Sequence, residues 1–409
     1  MTTTGSFIKK TIIPLSIALM WCGMLWSRAL LSLSMGLFIV SALSHGPFKE
    51  KWLFFKRNPL LWLMSLLFFI PFISGLWSHN FQQWSIVIQH KAPLLIIPFC
   101  CTALLSIDLQ YSRKLVYLAV ITTLISMIKT IGLYAVNARD ISGSYLQAKV
   151  LPVDMSNDHV RYAWLLVLVF TGLLYLVISG NKQVSSTEKK WIIIYLFFCG
   201  IFLHILASKT GILGLYLVIG LAVLFYGRNR IAILITGLSV LITSLAWFFL
   251  PTFRNRLKFV WWDFQHYTRG GYTEGLSDTP RILSIQAGKD LVKENPLWGT
   301  GFGDLKQATL NWYGQHAPFL KDYEQLLPSN EGLIYAAGAG LAGLIVFVLA
   351  TFYPLFMRAF RSDYAWISFH ALAIFGFIYE IGLETQYGIF VYAFLGCWLF
   401  LLIGKKENL

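Results

Sequence analysis

The chain has 409 residues, of which 57% are hydrophobic and only 13% charged, against about 25% charged in soluble domains. A mean hydropathy of +0.64 is too high for one aqueous core, which excludes a soluble globular enzyme, a disordered chain and a disulfide scaffold and leaves a polytopic membrane protein. The net charge of +14 would suit nucleic acid, but its distribution reports topology instead.

In chain order, twelve apolar stretches stand out, at about 11–26, 29–44, 59–77, 92–107, 115–135, 161–179, 191–207, 211–226, 231–250, 332–356, 364–380 and 385–403. They run continuously, without the alternation of a transmembrane β-barrel, so the expected fold is all-α with about twelve transmembrane helices. The first stretch follows Lys9 and Lys10 as a signal peptide would, but lacks a small-x-small cleavage site and reads as a retained helix. With the N-terminus placed inside, the inner connections hold Lys9, Lys10, Lys49, Lys51, Lys56, Arg57, Arg113, Lys114, Lys182, Lys189, Lys190, Arg228, Arg230, Arg358, Arg361, Lys405 and Lys406. Only Glu50, Asp108, Glu188, Asp363 and Glu407 oppose them, a surplus of twelve positive charges. This positive-inside bias sets the orientation and argues against a nucleic-acid partner. The five cysteines all lie in apolar spans without metal-ligand spacing and read as buried thiols.

The chain therefore divides into spans one to nine (1–250), an outer segment (251–331), and spans ten to twelve with a short inner tail (332–409). The absence of an evident repeat weakens an inverted-repeat transporter reading. The outer segment, with nine bases and nine acids, is too long for a mere connector. It reads as partly helical: Thr279 as N-cap and Pro280 at the first helical position, then Ile282, Leu283, Ile285, Leu291 and Val292 as an apolar face, ended by Asn295-Pro296. A turn-rich Gly299–Gly303 run follows, with no strand before it to make a nucleotide fingerprint. Trp261, Trp262, Tyr267, Tyr272, Trp298, Trp312 and Tyr313 suit either a membrane interface or sugar stacking.

Ionisable residues near the outer ends of spans are the clearest functional marks, because charge in a membrane is costly. Lys91 opens the fourth span, His159 and Arg161 the sixth, and Lys209 sits in the tight turn Ser208-Lys209-Thr210-Gly211. Each alone fits a snorkelling side chain; together they break the positive-inside trend and point to an anionic ligand. Arg281, at the second helical position, faces the positive end of a helix dipole, a conflict that a bound anion removes and that an ion pair with Asp278 would also ease. His316 has the chemistry of a base near neutral pH. Pro328-Ser329-Asn330-Glu331 leads into the tenth span, with Ser329 as a helix cap on the plainer reading. Glu380 and Glu384 bracket the last outer turn, placed to balance cations or bind sugar. His204 and His370 read as buried, hydrogen-bonded residues.

Three stretches resemble the O-antigen ligase/polymerase superfamily of bacterial inner-membrane glycosyltransferases. Ser208-Lys209-Thr210-Gly211 is similar to its Ser-Arg-x-Gly turn. Arg281 through Pro296-Leu297-Trp298-Gly299-Thr300-Gly301-Phe302-Gly303 is similar to its Arg, short helix and Asn/His-Pro-x-x-Gly-x-Gly-x-Gly. Pro328-Ser329-Asn330-Glu331-Gly332-Leu333, before the Gly-rich 337–344, is similar to its His-Asn-x-x-Leu helix entry. The chain departs from the pattern at Lys209, where Arg is more usual, and at Ser329, where ligases carry a histidine.

The resemblance implies a multi-pass protein of the bacterial inner membrane. It would transfer a glycan from undecaprenyl diphosphate to an acceptor on the periplasmic face: lipid A–core for a ligase, another carrier-linked unit for a polymerase, or a protein. Arg281, Glu331 and His316 are then the expected catalytic residues. Lys209, Arg161, His159, Lys91 and Asn330 are the expected diphosphate- and glycan-binding residues, with membrane lipid around them. Diphosphate is already a good leaving group, so neither metal nor cofactor is expected. The rivals are a lipid-linked oligosaccharide flippase or exporter, which would carry its cations deep in a central cavity, and a non-catalytic assembly protein.

The charge count predicts cytoplasmic termini and a periplasmic 251–331. A cysteine introduced at Ser277 should react with an impermeant thiol reagent added outside; reaction only from the cytoplasmic side would invert the topology.

Overall fold

The computed structural model describes residues 8–107, 109–147, 149–179, 184–227, 230–269, 272–275 and 278–406. Of the charges counted above, Asp108, Lys182, Arg228 and Glu407 lie outside these residues, as do Ser277 and the side chains of Lys9, Lys10, Lys405 and Lys406. The described residues are helical with no strand.

Each of the twelve apolar stretches falls on a helix, but not all qualify as spans. Among the described residues, eight helices are long and apolar enough to cross a membrane: Pro59–Leu76, Phe81–Leu105, Tyr111–Val136, His159–Ile178, Ser186–Leu206, Lys209–Tyr226, Glu331–Phe356 and Gln386–Gly404. Two sharply bent pairs, Arg28–Ser44 with Phe48–Arg57 and Ile233–Phe249 with Pro251–Thr268, raise the number to 10 if each is one span. Ile13–Trp26 and Tyr364–Tyr379 are shorter apolar helices. The chain is a multi-pass membrane protein.

The centre of the bundle is the Glu331–Phe356 helix, packed against the Pro59–Ile73, Tyr364–Tyr379 and Thr279–Glu294 helices. It is broken in mid-course: Ala339 has φ −140° and Gly340 has φ 63°, ψ −152°. A helix break in so buried a stretch strands backbone groups away from water, so protein must pair them. The Pro296–Gly301 loop does so. Thr300 N–H donates to Ala337 O at 2.7 Å, Gly301 N–H to Gly338 O at 3.0 Å, and Leu341 N–H to Pro296 O at 2.9 Å. The same loop is anchored on its other side, where Phe302 N–H and Gly303 N–H donate to Ser74 Oγ and Ser78 Oγ, both at 3.1 Å. The Asp304 carboxylate accepts from His79 N–H at 2.7 Å and Asn80 N–H at 3.0 Å. Thus the two glycine-rich runs read from the sequence lock into one another.

Residues 251–331 form three helices, Pro251–Thr268, Thr279–Glu294 and Leu305–His316. Trp312, Tyr313, Ala287, Ala317 and Leu320 make a small core of their own. The Thr279–Glu294 helix begins one residue earlier than expected: Asp278 is the N-cap, with Thr279 and Pro280 inside. Its buried face is also different. Ser284, Ala287, Gly288 and Leu291 are buried, while Ile282, Leu283, Ile285 and Val292 are half-exposed. The cause is close approach: a Cβ on Gly288 would stand 2.8 Å from Pro328, so small residues face the entry to the Glu331 helix. That entry is capped by Asn330, whose Oδ1 accepts from Leu333 N–H at 2.9 Å, rather than by Ser329.

His204 is buried and hydrogen-bonded, to Gly200 O at 2.7 Å and to Tyr216 at 2.9 Å. His370 differs from expectation: it is buried, but neither ring nitrogen has a hydrogen-bond partner, and its surroundings are the rings of Trp366, Phe369 and Tyr392.

Gly340 occupies backbone space open only to glycine, and a Cβ there would lie 2.1 Å from Leu297 O. Gly340→Val should therefore cost about 3 kcal/mol or more, read as a lowered melting temperature in detergent. Gly220→Ala, at a helical glycine with nothing within 4 Å, should change stability by no more than about 1 kcal/mol, and in the favourable direction.

Candidate functional site

Three helices begin close together beside residues 251–331. The Ser186–Leu206 helix ends at Ala207, which takes a left-handed φ of 49° and turns the chain directly into the Lys209–Tyr226 helix. Gly211 lets this helix close on the His159 helix, since a Cβ there would stand 2.4 Å from that of Ala163. The His159 helix follows three consecutive left-handed residues, Met155, Ser156 and Asn157 (φ 59°, 59° and 64°). Such conformations cost on the order of 1 kcal/mol or more each in non-glycine residues. Asp158 caps this helix through Arg161 N–H at 3.1 Å. The starts of the Lys209 and Thr279 helices, by contrast, have no side-chain cap, so their free N–H groups and dipoles leave positive potential unspent.

Charged side chains gather at these starts. Lys209 pairs with Asp278. Arg281 reaches across to Glu380, so its ion pair is not with Asp278. Arg161 pairs with Asp158 and donates to Ile381 O at 2.8 Å. His159 lies within electrostatic reach of Lys209, Arg256 and Arg281, and Lys209 within reach of both arginines. The Glu380 carboxyl is pushed above the ordinary carboxylate range, first by burial, with Arg281 and Arg161 pulling the other way. Four cations and their carboxylates thus interleave where three helices start.

Arg256 is the member that sequence reasoning missed. It is 5% exposed, and its Nε and Nη1 have no hydrogen-bond partner. The hydroxyls of Ser208, Thr210, Thr252 and Thr279 are likewise enclosed and without partners. A periodic signal was present: Thr252, Arg256, Phe259 and Asp263 fall at i, i+4, i+7 and i+11, one face of a helix, and all four are buried. The opposite face shows Leu257, Trp261 and Phe264 to the surroundings.

The other expected residues lie apart from this cluster. Lys91 lies in the apolar helical stretch Phe81–Leu105, level with the start of the Glu331 helix, and it is 0% exposed. A charge so fully buried requires partners. Its Nζ lies 2.5 Å from Glu384 and 3.9 Å from Glu331, donates to Leu383 O at 3.2 Å, and stands over the Tyr335 ring at 4.9 Å. Glu331 is also 0% exposed and accepts from Leu383 N–H at 3.0 Å. Asn330 caps its helix and donates to Ile378 O at 3.2 Å. Ser329, at the family's histidine position, is packed: its N–H donates to Ser284 Oγ at 3.0 Å, and the two hydroxyls lie 2.9 Å apart. His316 stacks on Trp312 at the end of the Leu305 helix, with centroids 4.7 Å apart. Among the described residues, no three His, Cys, Asp or Glu side chains come together in a way that would hold a metal ion.

Residues 194–348 match the family model described as O-antigen ligase. The matched stretch contains Lys209, Arg256, Arg281 and both glycine runs, and over these residues the chain is similar to that family. No curated protein matches the chain.

Lys91 faces two acids, which makes the buried cluster asymmetric. Lys91→Met leaves two carboxylates together and should cost about 3–5 kcal/mol. Glu384→Gln leaves Glu331 as partner and should cost far less. Thermal melts in detergent measure both, and equal losses would show that Glu331 does not share the lysine.

Proposed function

From the O-antigen ligase domain at residues 194–348, we propose that this protein transfers a glycan from undecaprenyl diphosphate to lipid A–core on the periplasmic face of the bacterial inner membrane. The family match supports ligase- or polymerase-type function in general. The observation that carries the finer reading is the gathering of Lys209, Arg256 and Arg281 within mutual electrostatic reach at uncapped helix starts.

The chemistry follows from that arrangement. An acceptor hydroxyl attacks the anomeric carbon, the bond from that carbon to the diphosphate oxygen breaks, and the diphosphate leaves with the electron pair, giving inversion. Negative charge grows on the leaving oxygen as the bond lengthens, and fixed cations and N–H dipoles stabilise that charge most where water is scarce. Lys209 and Arg281 are held ready by Asp278 and Glu380, which orients them before the substrate arrives. The proton of the attacking hydroxyl needs an acceptor. Glu331 is enclosed beside Lys91 and His316 is stacked on Trp312, whereas His159 neighbours the cation cluster. In this reading departure of the diphosphate leads the reaction and the hydroxyl proton passes to water, since the cations around His159 oppose a further positive charge there, and Glu331 with Lys91 positions the turn at 380–384.

Three variants test this with purified protein and a synthetic polyprenyl-diphosphate glycan. Arg281→Ala should lower transfer by about 10²–10³-fold without loss of folding, while Lys209→Arg keeps the charge and most of the activity. His159→Ala should keep transfer within about tenfold of wild type, below the loss expected on removing a general base. Wild-type turnover by Arg281→Ala would remove the leaving-group role.

A further inference from the structure

Three of the four clustered cations already hold a carboxylate, and the fourth does not. Arg161 has Asp158, Lys209 has Asp278 and Arg281 has Glu380. Arg256 makes no hydrogen bond through its enclosed Nε and Nη1, and its guanidinium rests over the Phe259 ring at 5.7 Å. Burying a charged donor without a partner is expensive, and such a group in a folded protein asks for an explanation. Asp263 and Asp278 lie within electrostatic reach of it and offset its charge at a distance. They do not occupy its donors.

The surroundings repeat the pattern. The hydroxyls of Ser208, Thr252 and Thr279 are enclosed and without hydrogen-bond partners. Ser208 and Thr279 stand at the two uncapped helix starts, and Thr252 lies one turn before Arg256 on the same buried face. Unspent donors of this kind suit an anion with several oxygens. One phosphate can be met by Lys209 and Arg281. A second phosphate needs a further set of donors, and the enclosed Nε and Nη1 of Arg256 can supply them.

We propose that Arg256 binds the second phosphate of a polyprenyl diphosphate, so that it decides selectivity for diphosphate over monophosphate carriers. This rests on the glycan-transfer reading above but is tested by binding alone. The full-length protein in detergent is titrated with farnesyl diphosphate and with farnesyl phosphate. Wild type should prefer the diphosphate by about tenfold or more, the worth of a charge-assisted hydrogen bond. Arg256→Gln should bring the two affinities to within about threefold by weakening only the diphosphate, and Arg256→Lys should fall between. A wild-type ratio in Arg256→Gln would overturn the assignment, as would equal weakening of both ligands, which marks a structural role. If Arg256→Gln does not fold, Arg256→Lys decides, and an unchanged ratio there overturns it. A protein that shows the expected ratios but transfers no glycan would contradict the transfer reading and leave the Arg256 assignment standing.

Discussion

Charge in an apolar bundle survives only where something meets it, and this constraint organises the end of the molecule where the helix starts gather. Lys91 is wholly buried and meets Glu384 and Glu331. Arg281 meets Glu380, and Lys209 meets Asp278. Each pair joins residues distant in sequence, so satisfying the charges also fixes how the helices stand relative to one another. Exposed pairs contribute little to stability, but breaking a buried pair is costly because it leaves the survivor uncompensated. The pairs therefore matter chiefly for specifying one arrangement of the helix starts.

Backbone groups obey the same rule. The break at Ala339–Gly340 frees carbonyl and N–H groups of the central helix, and the Pro296–Gly301 loop takes them up. Because Gly301–Asp304 also grips the turn at Ser74–Asn80, one loop ties the segment 251–331 to two parts of the bundle. The Thr279 helix is seated by this tie and by its small-residue contact with Pro328. The position of Arg281 thus depends on hydrogen bonds made far from it.

The site departs from the neat pairing of the rest. Three successive left-handed residues precede His159, two helix starts lack side-chain caps, and Arg256 has enclosed donors with no partner. Local rules of strain, capping and polar satisfaction are broken together in one place. Proteins keep such departures where binding or chemistry uses them.

The sequence by itself determined the helical membrane class and the family resemblance, and it marked Lys209 and Arg281 as candidates, because hydropathy, charge and short motifs are local properties. It also marked both glycine runs, without showing that they bind each other. Partner choice was not legible: Arg281 takes Glu380 rather than Asp278, and Lys91 is buried against Glu384 and Glu331. Nor could the sequence single out Arg256, one base among 33, since its distinction lies in being enclosed without a partner. These were decided by tertiary structure, because burial and pairing depend on which distant helices meet, and along the chain a cation with a partner looks the same as one without.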